Sequence, residues 1–177
     1  MADLAYDRAG SGPPLVLIHG LASSRRCWDL VMGDLSSDFT VYAIDLPGHG
    51  ESDPIPGQTQ TPATELALAV GRFLDEHDVT SAHLVGNSLG GWTALEAAAD
   101  GRALSVTALC PAGLWEPLRE PMSAIQFNRR AAVTTRRAIP TMMRVAPLRR
   151  TLMRAGSERA ATVPYRVAVD AAYAQAD

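Results

Sequence analysis

Lysine is absent from all 177 residues, so arginine supplies every one of the 16 strongly basic side chains. Cysteine is nearly absent too. Cys27 and Cys110 have the spacing of neither a metal site nor a disulfide framework, which favours a reducing compartment. No apolar run approaches the ~18 residues that cross a membrane, and the first ten residues lack the basic and apolar regions of a signal peptide. We therefore expect a cytoplasmic protein with no membrane span.

Basic residues are scarce in the first part of the chain and acidic residues are scarce in the second. Residues 1–115 carry 5 arginines against 14 acidic residues, whereas residues 116–177 carry 11 against 5. The net charge of −3 excludes a generally basic, nucleic-acid-binding protein. Three Arg-Arg pairs in the second part could form a basic surface, but aromatic residues are sparse around them. A solvent-exposed helical face explains these pairs better, and we expect no nucleic-acid partner.

Short apolar runs alternate with helical patterns over the first 115 residues. Strands are predicted within PPLVLIHG (13–20), FTVYAID (39–45), AHLVG (82–86) and LSVTALC (104–110), and LAYDRAG (4–10) could add an edge hairpin strand. This alternation predicts an α/β fold with a mostly parallel sheet that helices flank on both faces.

Three helices are predicted between these strands. The first follows a cap at Ser23 or Ser24 and has a core stripe of Trp28, Val31, Met32 and Leu35. The second covers roughly residues 62–76, with a stripe of Leu66, Val70, Phe73 and Leu74. The third is LGGWTALEAAAD (89–100), which Gly101 closes.

The character of the chain changes after Trp115. Strand-like runs stop, and arginine-rich helical stretches follow that Pro140, Pro147 and Pro164 interrupt. We therefore predict a core over residues 1–115 and a helical insertion or lid over residues 116–177.

Ser88 lies between two glycines in Gly86-Asn87-Ser88-Leu89-Gly90, directly after a predicted strand and directly before a predicted helix. This G-x-S-x-G pattern is typical of a nucleophile elbow, a strained turn that holds a serine hydroxyl clear of the sheet. Small neighbours are needed there because the strand and helix backbones pass close together. The alternative interpretation is a glycine-rich turn in which the serine has no function, and the predicted strand and helix on either side favour the nucleophile elbow over it.

Four segments in this order resemble the α/β-hydrolase family, in its lid-bearing serine hydrolase branch: LVLIHG (15–20), IDLPGHGES (44–52), GNSLGG (86–91) and ALCPAGLW (108–115). The resemblance covers residues 1–115, and residues 116–177 resemble the start of the helical lid. It implies that Ser88 is the nucleophile and that the backbone N–H groups of Leu21 and Leu89 form the oxyanion hole. It also implies that Gly20 and Trp115 line a substrate pocket, with neither a metal nor a cofactor.

The same resemblance requires a general base and an acid, and neither is found. In this family the acid and then the histidine follow the serine in the chain, but His19, His49, His77 and His83 all precede Ser88. The family pattern makes His19 a residue that shapes its loop, and we expect buried hydrogen bonding at Asp45 and His49. We therefore expect an incomplete form of the enzyme that lacks the acid, the base and the C-terminal strands.

The function that these residues favour is carboxylic-ester hydrolysis through an acyl-enzyme on Ser88. The expected substrate is a small, partly apolar acyl compound, because the second part is rich in methionines that suit an adaptable apolar lining. One alternative is hydrolysis of a carbon–carbon bond next to a carbonyl, since GNSLGG also resembles the elbow of such enzymes. Another is a non-catalytic binding protein on the same fold, which the missing base would suit.

Overall fold

A computed structural model describes residues 3–57, 61–114, 137–154, 163–166 and 168–169. The chain divides into two compact units, Met1–Pro117 and Leu118–Asp177. Within the described residues, no helix combines the length and the apolar character that crossing a membrane would require.

Five strands form one sheet in the first unit. They are β1 (Tyr6–Ala9), β2 (Pro14–Ile18), β3 (Thr40–Ile44), β4 (Ala82–Asn87) and β5 (Ala103–Leu109), in the spatial order β1-β3-β2-β4-β5. Strands β2 to β5 are parallel, and β1 runs antiparallel to β3. The predicted mostly parallel α/β sheet is confirmed. LAYDRAG supplies an edge strand as predicted, since β1 begins the spatial order, but the predicted hairpin is wrong because β1 pairs with β3 and not with β2, its neighbour in the chain.

Three helices pack on this sheet. A 3-10 turn (Arg25–Trp28) continues into α1 (Asp29–Leu35), and α2 (Ala63–Glu76) and α3 (Leu89–Ala99) follow. All four predicted stripe residues of α2 are buried. In α1 the prediction fails at Val31, which is 42% exposed. Because a 3-10 turn has three residues per turn, it rotates the helical face, so Trp28, Met32 and Leu35 cover the sheet without Val31. Ser24 precedes this turn, but its side chain makes no capping hydrogen bond.

Alternate residues of the central strands supply two hydrophobic clusters, one on each face of the sheet. Val16, Ile18 and Ile44 belong to the larger cluster, together with α2 and α3 residues. Leu15, Leu17 and their neighbours pack with Trp28 on the opposite face. Since β2 to β5 are parallel, their carboxyl ends share one edge of the sheet. The segments beginning at His19, Asp45, Ser88 and Cys110 therefore all start from that edge.

The second unit contains two short helices among its described residues, α4 (Ile139–Arg144) and α5 (Ala146–Met153). Pro140 and Pro147 lie in the first turns of these helices, where a missing N–H costs nothing. Ile139, Met143 and Ala168 form a small buried cluster, against which Met153 packs. Helices are thus present where helical stretches were expected, while a role for this unit as a lid stays a prediction.

Candidate active site

Ser88 occupies a strained turn between β4 and α3. Its φ of 54° and ψ of −114° lie in a region that non-glycine residues rarely adopt. The Ser88 N–H donates to the Leu109 carbonyl at 2.9 Å, and the Ser88 carbonyl accepts from the N–H groups of Trp92 at 3.1 Å and Ala112 at 2.9 Å. These three hydrogen bonds stabilise the Ser88 backbone in a conformation that would otherwise cost about 1–3 kcal/mol relative to an ordinary one.

The glycines on either side of Ser88 are required by the close approach of the backbone. A Cβ on Gly86 would lie 2.1 Å from the Gly90 carbonyl oxygen. A Cβ on Gly90 would lie 2.2 Å from the Ile18 carbonyl oxygen. Both distances are far shorter than van der Waals contact, so α3 can start directly against β2 and β4 only because neither residue has a side chain.

The loop that follows β2 lies against this turn. Gly20 is buried, and a Cβ at this position would be 3.2 Å from the Ser88 Cβ and 3.2 Å from the Asn87 carbonyl oxygen. The Leu21 side chain is 58% exposed, so packing of that side chain does not fix the loop. Gly20, Ser88 and the first residue of α3, Leu89, thus come together at the carboxyl edge of the sheet, while their roles in an oxyanion hole and a substrate pocket stay predictions.

His19 fixes the orientation of the peptide group between Gly20 and Leu21. The Leu46 N–H donates to His19 Nε2 at 3.0 Å, which leaves Nδ1 to carry the ring proton and donate to the Gly20 carbonyl at 2.7 Å. In a trans peptide the carbonyl and the following N–H point in opposite directions. The hydrogen bond to the Gly20 carbonyl therefore directs the Leu21 N–H away from His19.

His19 is unsuited to act as a general base. Its side chain is fully buried, and burial lowers its pKa to about 4, with the Gly20 hydrogen bond and Asp45 opposing the shift and His49 adding to it. Both ring nitrogens already have hydrogen-bond partners. The expectation that His19 shapes its loop agrees with these contacts.

Asp45 is fully buried at the end of β3 and accepts hydrogen bonds on both carboxylate oxygens. Oδ1 accepts from the Arg25 N–H at 2.6 Å, and Oδ2 accepts from the Glu51 N–H at 3.0 Å and from the Arg25 guanidinium. Burial opposes the charge of Arg25, but its contacts with Glu51, Asp45 and Asp7 overcome that effect and raise the pKa of the guanidinium. Asp45 therefore joins the loop after β2 to the turn after β3.

The other three histidines have contacts of their own in the first unit, and the His49 ring lies beside that of His19 with 5.2 Å between their centroids. His49 Nδ1 lies 3.1 Å from the Pro47 carbonyl within its own turn. His77 packs among Tyr6, Tyr42 and Phe73. His83 is the second residue of β4 and contacts Ser105, about 17 Å of extended strand away from Ser88. No described histidine is therefore hydrogen-bonded towards Ser88.

Two features of the site escaped the sequence analysis. Cys110 and Ala22 have φ values of 45° and 51°, and neither residue type signals a left-handed conformation. The role of Arg25 was missed as well, because nothing in its sequence context separates it from a surface arginine. Trp115, predicted to line the substrate pocket, lies outside the described residues.

Comparison with known proteins decides the family. Residues 15–177 match the sequence profile of the Alpha/beta hydrolase family, which is most of the chain. The chain belongs to this family. Its membership agrees with the order of the four segments that resemble the family.

Curated relatives of this family member include enzymes with different names. It is 38% identical over 131 residues to a pimeloyl-[acyl-carrier protein] methyl ester esterase from Methylococcus capsulatus, a match that covers 71% of the chain and 48% of the relative. It is 41% identical over 112 residues to the dihydrolipoyllysine-residue acetyltransferase component of an acetoin cleaving system from Cupriavidus necator, which covers 61% of the chain and 29% of the relative. The matches thus span between about a third and a half of these relatives.

Solved structures support the fold. An esterase from Rhodococcus superposes with a TM-score of 0.63 at 24% identity, over 99% of this chain and 68% of the esterase. At this identity the likeness shows the fold alone. Ester hydrolysis is thus found among both the curated relatives and the structural neighbours of this family member.

Proposed function

We propose that this α/β-hydrolase-family chain carries the nucleophile and the oxyanion hole of a serine esterase. Ser88 Oγ would attack the carbonyl of a carboxylic ester, form an acyl-enzyme and release the alcohol, and water would then hydrolyse the acyl-enzyme. The backbone N–H groups of Leu21 and Leu89 would stabilise the oxyanion of each tetrahedral intermediate. The observation that carries this proposal is the strained conformation of Ser88, with the Gly20 loop against its Cβ.

The substrate class follows from the chemistry of the relatives. A methyl ester of an acyl chain is named in the Methylococcus capsulatus relative. Backbone donors at the oxyanion hole place no demand on the alcohol group, so simple aryl and alkyl esters are suitable probes.

The proton of Ser88 needs an acceptor that the four histidines do not supply. His19 is buried and neutral, and the other three are held by contacts of their own. Nucleophilic attack by a serine near neutral pH is slow without such a base. We therefore expect slow turnover by this polypeptide alone and faster acylation when imidazole is added as an external base.

The test is acylation of the protein by p-nitrophenyl butyrate, followed by release of p-nitrophenol and by intact-protein mass spectrometry, with and without imidazole. We expect an acyl adduct that peptide mapping assigns to Ser88, that imidazole accelerates, and that is absent from Ser88→Ala. Equal acylation of Ser88→Ala would contradict the proposal and favour a non-catalytic binding protein. Turnover typical of a competent esterase without imidazole would contradict the expectation that the base is missing.

A further inference from the structure

The loop from Gly20 to Arg25 contains a strained residue between two buried anchors. Ala22 directly follows Leu21, and its φ of 51° is a conformation that alanine rarely adopts. On one side of Ala22, His19 binds the Gly20 carbonyl. On the other side, Asp45 binds the backbone N–H of Arg25. A strained alanine persists only where its surroundings determine its conformation, and these two anchors meet that condition.

Both anchors depend on Asp45 and Leu46, the two residues that directly follow β3. Leu46 donates to His19, and the preceding residue, Asp45, accepts from Arg25. The Asp45 carboxylate is fully buried and Arg25 is the only cation paired with it among the described residues, so removal of the Arg25 guanidinium would leave a buried negative charge without its counterion. Gly50 completes this arrangement, since a Cβ there would lie 2.2 Å from Asp45 Oδ2. The turn after β3 therefore holds the loop at both of its ends, through His19 and through Arg25.

We propose that Asp45 and Arg25 are positioning residues for the oxyanion hole: they hold Ala22 in its strained conformation and thereby aim the Leu21 N–H at the oxyanion. This inference rests on the proposed function. Neither side chain needs to touch the substrate. Their effect reaches the reacting atoms through the backbone of residues 21–25, where a displacement of about 1 Å lowers a rate by as much as a hundredfold.

The experiment measures phosphonylation of Ser88 by an alkyl fluorophosphonate, with imidazole as the external base. The Ser88 Oγ–P bond forms, fluoride leaves, and imidazole takes the hydroxyl proton. The phosphoryl oxygen then occupies the position of the oxyanion. Rates are compared for the unmodified chain, Ala22→Gly, Asp45→Asn, Arg25→Gln and Phe73→Leu, and urea unfolding is measured for each. Phe73→Leu is the control, because Phe73 is buried on α2 and packs against Tyr6 and His77, none of which belongs to the loop.

We expect Ala22→Gly to leave the urea midpoint unchanged or raise it, since glycine tolerates positive φ, while the rate falls about threefold because the loop gains freedom. Asp45→Asn and Arg25→Gln should lower the rate by about tenfold at conditions where they remain folded, and Phe73→Leu should lower stability alone. If Asp45→Asn fails to fold, the phosphonylation rates of Ala22→Gly and Arg25→Gln still test the inference. The inference is overturned if these variants react as fast as Phe73→Leu. If the unmodified chain reacts no faster than Ser88→Ala, the proposed function itself fails.

Discussion

His19 illustrates how one buried side chain can make folding depend on pH. Its pKa of about 4 in the folded protein lies below the ordinary value of 6.5, so the unfolded chain binds more protons between these two values. The contribution of His19 to the free energy of unfolding is therefore complete above about pH 6.5 and is lost as the pH falls towards 4. We expect urea unfolding to show a loss of about 2 kcal/mol between about pH 7.5 and about pH 5 from this residue.

The matched variants are His19→Gln and His19→Asn. Both remove the titration, so the pH-dependent loss should shrink by the same amount in each, apart from the common contribution of the carboxylates. Only the shorter asparagine amide can replace Nδ1–H as the donor to the Gly20 carbonyl, whereas the glutamine amide reaches the position of Nε2 near Leu46. An unchanged pH dependence in both variants would show that His19 is not the buried neutral group described here.

At the residue scale the sequence predicts chemistry better than conformation. The structural role of His19 and the buried hydrogen bonding of Asp45 follow from the HG and PGHGES segments. The positive φ values of Ala22 and Cys110 do not, because backbone strain at a non-glycine residue arises from tertiary anchors that no local pattern encodes. Arg25 pairs with a carboxylate 20 positions away, a contact that periodicity cannot reveal.

At the element scale the joint between β4 and α3 depends on two glycines. Gly86→Ala and Gly90→Ala each place a Cβ about 2 Å from a backbone carbonyl oxygen, and backbone on both sides leaves no room for relaxation. We expect each to destabilise the protein by more than about 3 kcal/mol in urea unfolding. Gly33→Ala in α1 is the control, since a Cβ there meets nothing within 4 Å. It should instead stabilise the protein by about 0.5–1 kcal/mol; similar losses at all three positions would contradict the joint's close packing.

Helices and strands were predictable because most of the residues that recur with helical or strand periodicity in the sequence are the ones buried in the fold. The α2 stripe is buried at all four positions, and each predicted strand of the parallel sheet forms. The partner of β1 was not predictable, because LAYDRAG shows no local feature that separates pairing with β2 from pairing with β3, whereas in the fold Tyr6 of β1 packs against Tyr42 of β3 and Phe73 of α2. The exposure of Val31 likewise depends on a local 3-10 turn that its sequence does not mark.

At the scale of the whole molecule, β5 ends the spatial order of the sheet and pairs only with β4 among the described residues. It has neither a charge nor a proline, the usual protections of an edge strand, and Leu104 is 56% exposed. We expect association that grows with protein concentration in sedimentation velocity and that Leu104→Lys reduces. Leu68→Lys, at a leucine of α2 that is 48% exposed, should leave association unchanged. Equal effects of the two substitutions would contradict pairing through β5.

The proposed oxyanion hole requires that the Leu21 and Leu89 N–H groups face an oxygen bound at Ser88. The most direct measurement is a ¹H–¹⁵N spectrum of the chain before and after phosphonylation of Ser88 by the fluorophosphonate. The phosphoryl oxygen of this adduct is strongly polarised and a good hydrogen-bond acceptor, and a hydrogen bond to it moves an amide proton downfield. We predict downfield shifts of the Leu21 and Leu89 amide protons, with remote amides such as that of Leu68 unmoved. A fully phosphonylated Ser88 with both amide protons unshifted would contradict the account.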